Sequence, residues 1–219
     1  MAAETSQLRG IYLLTPDVGS STFDAVLNIV RQSLEAGVRA IQYRDKTAGV
    51  TQRLERACQL VALTRAAGAL LIVNDSVEIA SSSNADGVHI GRDDGDLADA
   101  RRRLPHQLLG VSCYNELSRA RAAVAAGADA IAFGSMYPSL TKPAAVRAPL
   151  SLLSDARAAW PQQRIIAIGG INTGNVATVA AAGADAAAVL DAVFGAANPA
   201  SAARELVLRF NEGRSRLQT

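Results

Sequence analysis

A chain of 219 residues, 49% hydrophobic and 19% charged with a formal net charge of +2, can bury one substantial core and has neither the composition of a disordered chain nor that of a nucleic-acid coat. Its few aromatic residues are not interleaved with the basic run Arg101-Arg102-Arg103, which argues against nucleic acid as a partner; that run and the pair Arg119 and Arg121 are expected as solvated helix faces. Two cysteines, Cys58 and Cys113, in no metal-ligand spacing, argue against a disulfide framework or a zinc site, and Cys113 is expected as a small buried hydrophobe. No charge-free apolar stretch is long enough to span a bilayer and residues 1–9 do not read as an export signal, so the expectation is a cytoplasmic protein without a membrane partner.

Along the chain, an Ala-rich helix runs four times into a glycine and then a short apolar strand. The segments are Glu35-Ala36-Gly37-Val38, Ala66-Ala67-Gly68-Ala69, Ala125-Ala126-Gly127-Ala128-Asp129 and Ala181-Ala182-Gly183-Ala184-Asp185. Each glycine falls where a helix C-terminus needs a positive φ. The other apolar runs complete eight strands, near residues 10–14, 40–45, 70–74, 87–90, 108–112, 130–134, 165–169 and 186–190. Seven intervening segments can hold helices, the one after the fourth strand short and arginine-rich, and 201–217 supplies the eighth.

Strands apolar on both faces that alternate with helices make a buried parallel sheet. Eight such units predict an α/β chain folded as a single-domain (β/α)8 TIM barrel over 1–219, with flexible ends at 1–9 and 213–219. A doubly wound open sheet is the alternative; it is disfavoured because Thr15-Pro16-Asp17, and no Gly-x-Gly-x-x-Gly turn, follows the first strand. The longest irregular piece, 135–149, carries Pro138, Pro143 and Pro149 and reads as a mobile loop over the barrel mouth. Outer Ala-rich helices leave room for a homo-oligomer interface.

Ligands of such barrels sit at the C-terminal ends of the strands, and polar residues gather there. The second strand ends in Gln42-Tyr43-Arg44-Asp45-Lys46, whose alternation puts Gln42, Arg44 and Lys46 on one face and Tyr43 and Asp45 on the other. Two cations and an amide on one face suit a phosphorylated ligand. Later strand ends carry Asn74-Asp75, His89 with Asp93-Asp94, Ser112, Ser139-Leu140-Thr141-Lys142 and Gly169-Gly170. Asp75 and Asp94 follow neighbouring strands, close enough to share a hard cation; helix N-capping is the competing role, and the cations Arg44, Lys46 and Lys142 favour Mg²⁺ with a diphosphate. Gly169-Gly170, with the helix start after strand eight, fits a phosphate site built from backbone amides.

Taken in order, these motifs resemble the thiamine-phosphate synthase family from Tyr12 to about residue 207, adding Asp86-Gly87-Val88-His89-Ile90-Gly91, Gly110-Val111-Ser112 and Tyr137-Pro138 to those above. The resemblance implies a transferase that joins a hydroxymethylpyrimidine diphosphate to a thiazole phosphate, giving thiamine phosphate and diphosphate. It also implies that diphosphate departs first and leaves a stabilised cation for the thiazole nitrogen to attack, with Arg44, Lys46, Ser112 and Lys142 closest to the chemistry. Pyrimidine diphosphate binding is implied for Gln42, Tyr43, Arg44, Asp45, Lys46, Asn74, His89, Ser112 and Lys142. Thiazole phosphate binding is implied for Ser139, Leu140, Thr141, Gly170, Leu190 and Asp191, and Mg²⁺ binding for Asp75 and Asp94.

Three positions depart from the usual pattern: Ser76 and Ser135 replace a common Asp and Pro, and Asp191 replaces a common Ser. A carboxylate beside a bound phosphate is repulsive unless only its backbone N–H faces the ligand and its side chain turns away. The rival readings are a thiazole tautomerase of the same fold, which has no need of the carboxylates and cations, and a non-catalytic binder of thiamine precursors.

Overall fold

The structure, a computed structural model, describes residues 7–18, 22–139 and 145–216. Eight parallel strands close on themselves in sequence order: β1 (Gly10–Leu14), β2 (Ala40–Tyr43), β3 (Leu70–Asn74), β4 (Gly87–Ile90), β5 (Leu108–Tyr114), β6 (Ala130–Phe133), β7 (Arg164–Ile168) and β8 (Ala186–Val189). Pairing of Gly10 with Ala186 through Leu13 with Val189 seals β1 to β8. The helices are α1 (Phe23–Glu35), α2 (Val50–Ala66), α3 (Val77–Ser82), α4 (Leu97–Arg103), α5 (Leu117–Ala125), α6 (Ser151–Ala159), α7 (Val176–Ala181), a single turn α8 (Asp191–Phe194) and α9 (Pro199–Ser215). This is the expected barrel. Gly37, Gly68, Gly127 and Gly183 end their helices at φ between +62° and +110°.

Strand alternation divides the apolar residues into two cores. Ile11 and Leu13, Ile41 and Tyr43, Leu71 and Val73 face the helices, while Tyr12, Leu14, Ala40, Leu70 and Ile72 face the barrel axis. On β6 and β8 the axial residues are Ala130, Ala132, Ala186 and Ala188, so that side of the interior is less filled.

Three aspartates tie the N-terminal ends of the strands together. Asp86, Asp129 and Asp185 accept the backbone N–H groups of Leu71, Leu109 and Ile165 at 2.8, 2.8 and 3.0 Å, one strand back in each case. Arg101 reaches Asp129 at 2.5 Å and also donates to the carbonyls of Leu104, Gln107 and Gly127. Arg157 treats Asp185 and the carbonyls of Pro161, Gln163 and Gly183 alike. Arg101 therefore departs from the expected solvated face, while Arg102 and Arg103 stay exposed and pair with Asp99 and Glu78.

Two end-segment expectations change. Leu8, placed in the flexible end 1–9, is only 2% exposed and belongs to the axial core. Residues 213–215, placed in the flexible tail, are the last turn of α9, with Gly213 buried. An apolar side chain at the barrel floor and a helix packed on α7 cannot be loose ends. Residues 1–6 and 217–219 lie outside the described residues.

Candidate active site

The C-terminal mouth of the barrel opens into a cavity of about 480 Å³, a size suited to a small ligand. Its wall draws on every strand, which is why polar residues scattered through the sequence meet there.

On the β2 side, Gln42 is 4% exposed and its Nε2 donates to Tyr12 Oη at 2.9 Å. Beyond the strand, the Arg44 guanidinium sits 2.8 Å from Asp17, which also accepts the Lys46 backbone N–H at 2.6 Å. Burial alone would raise the Asp17 carboxyl, but the Lys46 N–H and Arg44 outweigh it and hold it below the ordinary value. Thr15 closes this turn by exchanging hydrogen bonds with the Arg44 backbone at 2.9 and 3.0 Å. Lys46 Nζ reaches Asp75 at 3.2 Å.

On the β3 and β4 side, Asp75 adopts φ +65°, a left-handed conformation uncommon outside glycine, and lies on the cavity wall with Asn74, Asp93 and Asp94. Neither Asp75 nor Asp94 caps a helix. Ser76 caps α3 and Asp96 caps α4, each through its own side chain, so the competing role is taken by other residues. Asp94 accepts the Gly91 N–H at 2.8 Å. Its carboxyl is raised above the ordinary value, first by burial and then by the facing Asp75 carboxyl.

His89 is 7% exposed, with Nε2 2.9 Å from Ser112 Oγ. Gly110 makes room for that ring, since a Cβ there would stand 2.6 Å from His89 Nδ1. On the far side, Gly169 and Gly170, at φ +103° and +61°, lie so close to Ser135, Tyr137 and Pro138 that side chains would collide. The pair is demanded by packing as well as suited to an anion. Asp191 opens α8, and its carboxylate lies back along that turn: a Cβ on Gly195 would meet its Oδ1 at 2.8 Å.

A family profile described as thiamine monophosphate synthase matches residues 11–193. The chain belongs to this family. A thiamine-phosphate synthase of Chromobacterium violaceum is 50% identical over 202 residues, covering 91% of this chain and 95% of its own. One of Halorhodospira halophila is 46% identical over 218 residues, covering 98% of this chain and 100% of its own. Among solved structures, thiamine phosphate pyrophosphorylase from Pyrococcus furiosus superposes with a TM-score of 0.86 at 32% identity, over 96% of this chain and 99% of that one. The 3-hexulose-6-phosphate synthase of Salmonella typhimurium matches with a TM-score of 0.72 at 18% identity, over 93% of this chain and 99% of that one, a likeness of fold alone.

Within this thiamine monophosphate synthase family member, Gln42, Arg44, Lys46, Asn74, Asp75, His89, Asp94, Ser112, Ser139, Gly170, Leu190 and Asp191 all line the one cavity. Tyr43 and Asp45 do not, which corrects their assignment to the pyrimidine diphosphate. Strand alternation turns Tyr43 toward the helices, where it packs on Phe23, and past the strand end the Asp45 carboxylate holds Arg56 at 2.5 Å and accepts from Thr47. Leu140, Thr141 and Lys142 lie outside the described residues. Sequence reasoning missed Tyr12, Asp17, Arg92 and Tyr114; the signal for Asp17 was its place directly after β1, where the other strands carry their polar groups. Cys113 is fully buried, and burial pushes its thiol up to about 12, as an inert core residue.

Among the described residues no three carboxylate, His or Cys groups cluster as a metal cage. Asp75 and Asp94, two facing carboxylates on the cavity wall, are the hard oxygen donors that would suit a divalent cation. No helix among the described residues is long and apolar enough to cross a membrane.

Proposed function

We propose that this chain catalyses the reaction its family is named for. It joins 4-amino-2-methyl-5-(diphosphooxymethyl)pyrimidine to 4-methyl-5-(2-phosphooxyethyl)thiazole, or its 2-carboxy form, giving thiamine phosphate and diphosphate. The observation that carries the reading is the convergence of Gln42, Arg44, Lys46, Asn74, Asp75 and Asp94 on one cavity in a chain that matches this family over residues 11–193.

In this reading Gln42, with its amide N–H committed to Tyr12, turns its oxygen to the exocyclic amine of the pyrimidine. Arg44, Lys46, Asn74 and Lys142 gather the diphosphate, and Asp17 keeps the Arg44 fork in place. Asp75 and Asp94 would hold Mg²⁺, which when bound would supply positive charge to the diphosphate. Ser112 and His89 wall the pyrimidine end. Ser139, Leu140 and Thr141, with the backbone of Gly170 and of Leu190 and Asp191, hold the thiazole phosphate. The Asp191 carboxylate, folded back over Gly195, leaves the backbone N–H to serve that turn. The thiazole nitrogen has no proton to lose when it attacks, so the residues align two reactants and neutralise charge without an activated nucleophile. Such phosphate esters are water-soluble and membrane-impermeant, which suits a cytoplasmic enzyme.

The test is a coupling assay with both substrates, with and without Mg²⁺, reading thiamine phosphate as its fluorescent oxidation product. Mg²⁺-dependent product is expected. Binding of both substrates without product rejects the synthase reading, and metal-independent proton exchange on thiazole phosphate alone replaces it with a tautomerase.

A further inference from the structure

Arg119 does not occupy the solvated helix face that sequence suggests. From α5 its guanidinium spans the C-terminal ends of two strands, Nε donating to Ser112 O at 2.7 Å and a terminal N–H to Gly91 O at 3.1 Å. Both carbonyls belong to residues that hold site groups through another atom. The Gly91 N–H donates to Asp94 at 2.8 Å, and Ser112 Oγ lies 2.9 Å from His89 Nε2. The β4 to β5 ladder ends at the pair Ile90 and Val111, so Gly91 lies one residue beyond the last strand pair. There the guanidinium links two strand ends past the close of the ladder, and its planar fork of donors can reach two carbonyls at once where an ammonium acts from one point.

Tyr114 fixes the fork from the side. It adopts φ +55° where the β5 register shifts, lines the cavity, and its ring lies 5.7 Å from the Arg119 guanidinium and 4.9 Å from that of Arg92. Its hydroxyl accepts the Arg92 backbone N–H at 3.3 Å, which joins it again to the β4 loop. Arg121, two residues on, stacks instead on Trp160, 5.9 Å away.

We propose that Arg119 is a positioning residue for the metal and diphosphate side of the site: its fork holds Gly91 and Ser112, and through them Asp94 and the His89–Ser112 pair. The inference rests on reading Asp75 and Asp94 as the Mg²⁺ pair of a synthase. A residue that only stabilised the barrel would affect both substrates alike. Arg119 bears on the strand ends that hold Asp94, far in sequence from the Ser139, Gly170 and Asp191 group.

The experiment compares wild type, Arg119→Ala, Arg119→Lys, Arg119→Gln and, as an outer-face control, Arg121→Ala. Kinetics are taken in each substrate and in Mg²⁺, binding of Mn²⁺ with inorganic diphosphate is read by electron paramagnetic resonance, and melting is followed by calorimetry. Arg119→Ala is expected to raise the Mg²⁺ needed for half-maximal rate and the KM for pyrimidine diphosphate by about tenfold, with Mn²⁺ affinity falling in parallel, as loss of a residue behind a metal ligand does. The thiazole phosphate KM stays near wild type. Arg119→Lys, which cannot span both carbonyls, recovers only part of the loss, and Arg121→Ala keeps the wild-type pattern throughout. If Arg119→Ala does not fold, the Lys and Gln variants carry the same comparison. Equal rises in both KM values with complete rescue by Lys, or unchanged Mg²⁺ and Mn²⁺ dependence, overturn the proposal while leaving the synthase reading intact. A wild-type protein that makes no Mg²⁺-dependent product overturns both.

Discussion

Lys46 Nζ lies 3.2 Å from the Asp75 carboxylate, so one member of the acidic pair in the cavity is already paired with a cation of the cavity wall. Asp94, the other member, is held by a backbone N–H and its carboxyl is raised first by burial and then by Asp75. Replacing either Asp75 or Asp94 with Ala is expected to cut Mg²⁺-dependent turnover at least about tenfold, equivalent to about 1.4 kcal/mol of transition-state stabilisation. Melting should change little, because a strand-end carboxylate adds little to the core. Variants that melt normally and keep wild-type rates would remove the metal assignment.

Tyr12 Oη and Gln42 Nε2 form a buried pair at 2.9 Å in the cavity wall. Tyr12→Phe removes the acceptor and keeps the ring, so stability should fall by about 1 kcal/mol, the usual net worth of a neutral hydrogen bond. The freed amide can then rotate, and the KM for pyrimidine diphosphate should rise several-fold while that for thiazole phosphate holds. Steady-state kinetics in each substrate decide it; equal effects on both would mean that Gln42 does not touch the pyrimidine.

Asp185, 3% exposed, gathers Arg157, the Ile165 N–H and, at 3.7 Å, both Arg164 and Arg214. Removing this carboxylate leaves three partly buried guanidiniums and the Ile165 N–H without it. Asp185→Ala should therefore cost about 1–3 kcal/mol in urea unfolding, the scale of partners left unsatisfied. The site lies at the opposite end of the barrel, so the protein that remains folded should keep its KM values. A loss under about 1 kcal/mol, the scale of a solvated surface pair, would show that water already satisfies the cluster.

Asp45 is held low: burial would raise its carboxyl, but hydrogen bonds from Thr47, Ala48 and Arg56 prevail. A folded pKa below the unfolded value, about 3.9, contributes stability that is complete above that value and disappears as pH falls through the folded pKa. Asp45→Asn should thus be less stable than wild type at pH 7, with the gap closing in acid below about pH 4. Melting curves across pH 2–7 would measure it, and a gap that stays constant down to pH 2 would refute the coupling.

Much of this molecule was readable from local pattern. Eight apolar runs, four glycine stops and polar residues clustered at run ends depend on backbone geometry and burial, which act over a few residues, and they suffice for the barrel and for the side of it that binds ligand. The alternation that turned Gln42 to the cavity turned Tyr43 away from it, while Arg44 and Asp45, past the end of β2, took their directions from Asp17 and Arg56. What tertiary structure alone decided were the partners of the long charged side chains. Arg101 and Arg119 look in sequence like Arg102 and Arg121, since a guanidinium on a flexible stem suits solvent or a buried carbonyl equally. Only closure of the barrel brings Asp129 within reach of Arg101, Asp17 of Arg44, and the carbonyls of Gly91 and Ser112 to the two arms of Arg119.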